Sequence, residues 1–339
     1  MPTAENAILY FEAAQNPVSM IELTDQGDQK SFKSADNLWS GRSGFTPSVK
    51  PNGLAVGGVI SPAVSGSNNV VDVSQAKAYL AGVLTTVSAE TDLSIPRPAV
   101  SNYQKFSVTI TAAGAIAVVE GVEGTSFSDD RGEAGGPPFI DNDAIEIGQV
   151  WYSSQSNAPV AATEIKQVEG VHQERFDNPL WQVKYIDVSS GVLGYAGIEF
   201  YNALSLIHSE DAGSTKYGKD VYASYHVPVF GEVVDAYDFV PPANAHAINT
   251  TQVYGRTKGS KSKTLNPGSF NVELRDGVSD GILKFVDDLL WFKFLPDRLE
   301  TPYVLCQGSL GVVSNFPAGA NINAACTVSP EAVGERVYA

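Results

Sequence analysis

Three groups of residues in this 339-residue chain have types suited to chemistry. The first is a run of carboxylates, Asp129, Asp130, Glu133, Asp141 and Asp143, spaced by Gly132, Gly135, Gly136, Pro137 and Pro138. Calcium takes about six to eight oxygen ligands, which such density can supply, but the spacing is not that of an EF-hand loop. A solvated acidic loop is the simpler reading, and the residues alone leave calcium open. The second group is cationic: Arg256, Lys258, Lys261 and Lys263, with Gly and Ser between them. Phosphate is the natural ligand for such a loop, yet Gly259-Ser260-Lys261-Ser262 lacks the G-x-x-x-x-G-K-[ST] spacing of a P-loop, and no G-x-G-x-x-G fingerprint occurs. A basic hairpin tip that plugs into a neighbouring acidic subunit fits these four residues better.

The third group holds candidate nucleophiles and bases. His172, Asp177 and many serines are present, but no G-x-S-x-G elbow brings a nucleophile to a base. Paired carboxylates for glycoside hydrolysis would be defined by separation in space, and no dense cluster of acids and aromatics marks consecutive strand ends. Cys306 and Cys326 sit in alternating apolar runs and read as reduced core residues, while His172, His208, His226 and His246 lack metal spacing. The expectation is a protein that is not an enzyme and uses no cofactor or metal.

The elements that must position these groups are mostly strands. Charged residues make up only 18% of the chain, and Gly 31 and Pro 19 supply many turns between runs of Val, Ile, Thr, Tyr and Phe. No stretch approaches the ~20 apolar residues of a membrane span. Met1-Pro2-Thr3-Ala4-Glu5-Asn6 has neither the basic start nor the apolar core of a signal peptide, which leads us to expect synthesis in a cytoplasm. The net charge of −16 argues against gripping DNA, which is done by neutralising phosphates with Lys and Arg. Residues 66–165 hold 12 acidic and 4 basic side chains, whereas residues 221–339 hold 12 and 9, so the excess acidity is concentrated in one segment.

Along the chain, residues 8–13 and 18–23 read as two strands on either side of Pro17. Trp39 reads as an aromatic anchor pinning a long irregular loop to a core. Ser65-Gly66-Ser67-Asn68-Asn69 turns polar and is a candidate domain entry. Residues 106–111 and 115–120 alternate around Ala113-Gly114 as a hairpin, and residues 145–151 close what reads as a small β-sandwich. The scattered aromatics from Phe176 to Tyr225 read as core and interface packing. A strand over 248–254, a loop over 255–267 and a strand over 269–274 precede a helix expected over 279–290. Ser279 is its N-cap, and Ile282, Leu283, Val286, Leu289 and Leu290 form one apolar stripe that packs on the sheet. Strands resume with Trp291-Phe292-Lys293-Phe294-Leu295, Tyr303-Val304-Leu305-Cys306-Gln307-Gly308 and residues 322–328.

This order resembles the tail tube (major tail) proteins of long, non-contractile phage tails, nearest to transposable, siphophage-type phages of Gram-negative bacteria. The resemblance rests on Gly268-Ser269-Phe270-Asn271-Val272, the Trp291–Leu295 run followed by Pro296, Phe316-Pro317-Ala318-Gly319 and the closing Asn323-Ala324-Ala325-Cys326-Thr327-Val328 strand, together with the Ile8–Ala13 run. It implies a mainly β fold, a tail-tube-type sandwich or barrel with one helix, split between residues 1–65 and 216–339. Residues 66–165, extending to about 215 at most, then form an inserted β-sandwich module that decorates the exterior. It further implies homo-hexameric rings stacked into a tube, with Arg256, Lys258, Lys261 and Lys263 as the ring-stacking loop. Other tail proteins would bind the tube ends, and DNA would pass through an acidic lumen without specific binding. The protein would sit in the virion tail after assembly in the host cytoplasm. The alternative reading is a receptor-binding or fibre-like protein of the tail tip.

Overall fold

The computed structural model describes residues 4–36, 38–176, 179–185, 195–204 and 219–338. The protein is mainly β, with three large hydrophobic core clusters and a smaller one around Trp291, Leu305 and Val337 among the described residues. Most of the chain outside residues 53–176 joins a 12-stranded sheet, which is not closed into a barrel among the described residues.

The organising element is one 18-residue strand, Ile8–Asp25, where two short strands were expected. Pro17 does not break it, because shifts in register between Glu12 and Ala14 and between Val18 and Ile21 absorb the irregularity along Val221–Glu232. At about 3.3 Å per residue such a strand spans roughly 60 Å, enough to serve two cores. Its first residues pair with Leu289–Leu295, from Ile8↔Leu295 to Phe11↔Phe292. There Leu9 and Phe11 join Phe270, Val272, Leu290, Phe292, Cys306, Leu310, Cys326 and Val328 in one core. Its far end pairs with Ser31–Lys33 and contributes Leu23 to a second core with Phe32, Trp39, Phe200 and Tyr225.

A buried polar node ties the two cores together. Glu12 is wholly buried; its carboxylate accepts hydrogen bonds from Ser40 Oγ, Gln15 Nε2 and the Trp291 amide. Trp39 is also wholly buried, stacked on Tyr225 with centroids 4.8 Å apart, and its carbonyl accepts the Trp291 indole N–H at 2.9 Å. The loop after Ser31–Lys33 is thereby pinned to both halves of the sheet.

The inserted module has different limits from those expected. Its core contains Leu54 and Ile60 as well as Phe106, Val108, Ile147 and Tyr152, so it begins at Gly53 rather than at residue 66. The polar stretch around Ser65–Asn69 is a turn inside it, between Ile60–Pro62 and Val70–Val73, with the Asp72 carboxylate accepting the Val64 and Asp92 amides. The module closes where it opened: the Leu54 amide donates to the Glu174 carbonyl at 3.0 Å, and the Phe176 amide donates to the Leu54 carbonyl at 2.8 Å. Gly53 permits this approach, since a Cβ there would lie 2.7 Å from the Phe176 nitrogen. Trp181–Tyr185 and Tyr195–Phe200 do not extend the module; they pair with each other, and Tyr195–Phe200 pairs with Ser31–Lys33 in the large sheet.

The expected helix over 279–290 is not formed. A short 3-10 turn occupies Gly281–Phe285, and Leu289–Leu295 is a strand. Asp287 takes φ 70°, which ends any helical continuation, and Leu289 and Leu290 pair with Ser309 and Gly308. Of the proposed packing face, Ile282 and Leu290 are buried, Leu283 and Leu289 half-buried, and Val286 exposed. The apolar spacing that suits one helix face also suits a turn followed by a buried strand, and pairing with Tyr303–Asn315 decides between them.

Candidate functional site

The most unusual feature is an antiparallel ribbon formed by Ala243–Val253 and Arg256–Asn266. The second arm was expected to be a loop; it is a strand, in unbroken register from Ala243↔Asn266 to Val253↔Arg256. Tyr254 and Gly255 make the two-residue turn, with Gly255 at φ 80° and Tyr254 fully exposed. At about 3.3 Å per residue each 11-residue arm reaches roughly 35 Å. None of its described side chains is buried, and it forms a two-stranded sheet of its own. A lone two-stranded hairpin is marginally stable in water, so this one draws its order from its root or from a partner.

The root explains its direction. The ribbon continues the pair Ala236–Val240 and Gly268–Glu273, where Val240 pairs with Ser269. Pro241, Pro242 and Pro267 interrupt the ladder because proline has no N–H to donate. Pro242 is buried, and its carbonyl accepts the Gly334 amide at 3.1 Å. Gly268 leaves room for it: a Cβ there would meet Pro242 Cδ at 2.7 Å. The joint is a packed proline cluster.

Arg256, Lys258, Lys261 and Lys263 all lie on Arg256–Asn266 and are all exposed. The two-residue period of a strand places Arg256 and Lys258 on one face near the tip and Lys261 and Lys263 on the other. They were expected to act as one set; the structure presents them as two. None makes an ion pair or side-chain hydrogen bond to a described residue. Residues 243–266 carry these four cations and no Asp or Glu, on a chain of net charge −16.

No family model and no curated protein matches this chain.

The other chemical groups are used internally. In the module, Glu146 is wholly buried and accepts from Ser107 Oγ and Gln149 Nε2, and it pairs with Arg131. Burial raises its pKa, opposed by the Arg131 charge and these hydrogen bonds. Lys105 is equally enclosed, its ammonium 3.7 Å from the Trp151 ring centroid and 3.1 Å from Asp129. Asp129 and Arg131 belong to the acidic Gly-Pro loop, so that loop is a lid clamped over the polar face of Gln104–Ile110 and Ile145–Tyr152. Among the described residues, no three His, Cys, Asp or Glu side chains are grouped as metal ligands. His172 lies edge-on to Trp151, and its pKa is lowered by burial and by Lys105, Lys166 and Arg131. Cys306 and Cys326 are free and buried, and burial pushes both thiols up to about 12. Asp177 and His208 lie outside the described residues.

Sequence reasoning located the cations but missed Tyr254 and the strand that carries them. Thr257 to Thr264 has no apolar alternation, which is why it read as a loop. The available signal was two arms of equal length flanking Tyr-Gly.

Proposed function

We propose that this chain is a structural subunit of a phage tail tube that polymerises as stacked rings, with the ribbon as its stacking arm. The observation that carries this reading is the ribbon itself: 24 residues held in register and cationic, with no described side chain buried, on a strongly acidic chain. A protein that functions alone has little use for such an arm, whereas a subunit that must reach a neighbour does. The open sheet supports ring formation. Its main path ends at Trp181–Tyr185 and Ala236–Val240, and pairing such edges across subunits would remove the liability of exposed strand edges. Hexameric rings around a channel for DNA remain the form this proposal takes. The inserted module, with its own core and excess acidity, is then an external decoration.

Negative-stain electron microscopy at rising protein concentration tests the reading. Hollow tubes or stacked rings are expected. Monomers or discrete trimers at every concentration would overturn it in favour of a tail-tip adhesin. Arg256→Glu/Lys261→Glu reverses one charge on each face of the ribbon and is expected to shorten or abolish tubes while leaving the folded circular dichroism spectrum intact. Tubes of normal length from that variant would remove the ribbon from the stacking role.

A further inference from the structure

Building on the reading of self-stacking subunits, we propose that the tip of the ribbon seats in an acid-rimmed cleft of a second copy of this chain. The cleft has a volume of 330 Å³ and an apolar floor that includes Phe11, Leu274 and Ile282. Glu232, Asp235 and Glu273 stand on its rim; Asp280 and Arg275 complete the charged lining and offset one another. Glu232 and Asp235 make no side-chain hydrogen bond or ion pair to any described residue, so both carboxylates are free for an incoming cation. Asp280 is occupied, accepting the amides of Arg275, Asp276 and Gly277.

The tip offers the complementary chemistry. Tyr254 is a fully exposed amphipathic ring, and Arg256 and Lys258 share one face directly behind it. An apolar floor with a carboxylate rim suits an aromatic ring flanked by cations, the ring supplying burial and the charges supplying orientation.

The positions of the two surfaces matter as much as their chemistry. Ala236–Val240 and Gly268–Glu273 are paired, with Ala236↔Val272 at one end and Val240↔Ser269 at the other. The ribbon leaves beyond Val240 and Ser269, whereas Asp235 and Glu273 lie beyond Ala236 and Val272. Plug and socket therefore sit at opposite ends of the same two strands, and the socket that a tip fills belongs to another copy. A head-to-tail contact of this kind is heterologous, and it propagates along an axis wherever its rotation does not close a ring.

Cysteine pairing in the full-length chain tests the contact directly. One preparation carries Thr251→Cys, opposite Lys258 on the docking face behind the tip, and a second, distinguished by a mass tag, carries Val234→Cys on the cleft wall. The native cysteines are buried and do not compete. Docking is expected to raise the yield of the mixed disulfide by roughly tenfold or more over a Thr251→Cys and Val100→Cys control, because contact replaces chance encounter. Glu232→Lys/Asp235→Lys is expected to abolish that gain, and combining it with Arg256→Glu/Lys258→Glu on the partner is expected to restore it. The gain together with tubes supports both proposals. The gain with only discrete oligomers supports the contact and overturns the tube. Tubes with disulfide yields at the control level keep the tube and overturn the contact. Neither gain nor tubes overturns both.

Discussion

The inserted module and the ribbon are both excursions from the large sheet, and they solve the problem of leaving it in opposite ways. The module returns its chain to the point of departure at Leu54 and Phe176, and it encloses a core from Leu54 to Val160. It even buries a lysine and a glutamate by giving each a partner. The ribbon buries no described side chain and leaves four cations unpaired among the described residues. Stability for an excursion comes from apolar burial and satisfied polar groups. One region achieves both by itself; the other has the composition of a surface awaiting another surface.

The comparison breaks most visibly if the module's core proves dispensable. Phe106 is wholly buried among Val108, Ile110 and Tyr152, and Phe106→Ala is expected to cost about 3–5 kcal/mol in chemical denaturation of the module. A loss under about 1 kcal/mol would mean that the module does not stand on its own core.

The clamped polar face sharpens the contrast. Arg131→Ala leaves Glu146 buried without its ion-pair partner, an uncompensated charge expected to cost about 3 kcal/mol near neutral pH. Burial already raises the folded-state pKa of Glu146 above the ordinary carboxylate value, and losing Arg131 raises it further. A carboxylate with a raised folded pKa is no burden below its unfolded value and becomes one as pH rises through the folded value. The variant is thus expected to be nearly as stable as the parent below pH 4.5 and to lose stability as pH rises. Denaturation midpoints that run parallel for parent and variant across that range would contradict the assignment.

The smallest effect is expected from the largest deletion. Replacing residues 243–266 by an Asn-Gly turn between Pro242 and Pro267 is expected to change unfolding free energy by no more than about 0.5 kcal/mol, since none of the described side chains lost is buried. The same deletion is expected to abolish tube formation. A substantial fall in stability would show that the ribbon packs within its own subunit.

Much of the β character was legible from composition and alternation. The hairpin of Phe106 to Glu120 is formed as read, with Ile110↔Ile116 beside the Gly114 turn. The cations at 256–263 were legible as a group because charge does not depend on the fold. The sequence by itself determined that the chain is mainly β, and it singled out Arg256, Lys258, Lys261 and Lys263. Tertiary pairing decided the rest. Leu289 and Leu290 became strand because Tyr303–Asn315 offered hydrogen-bond partners that a helix face could not match. Residues 54–62 joined the module because their partners lie at 70–80, a choice that local composition does not encode. The cleft combines Phe11, Asp235, Glu273 and Ile282, residues distant in sequence that meet only when the sheet forms. Local pattern reports what a segment can become; long-range pairing and burial select among those states, because that is where most of the stabilising free energy lies.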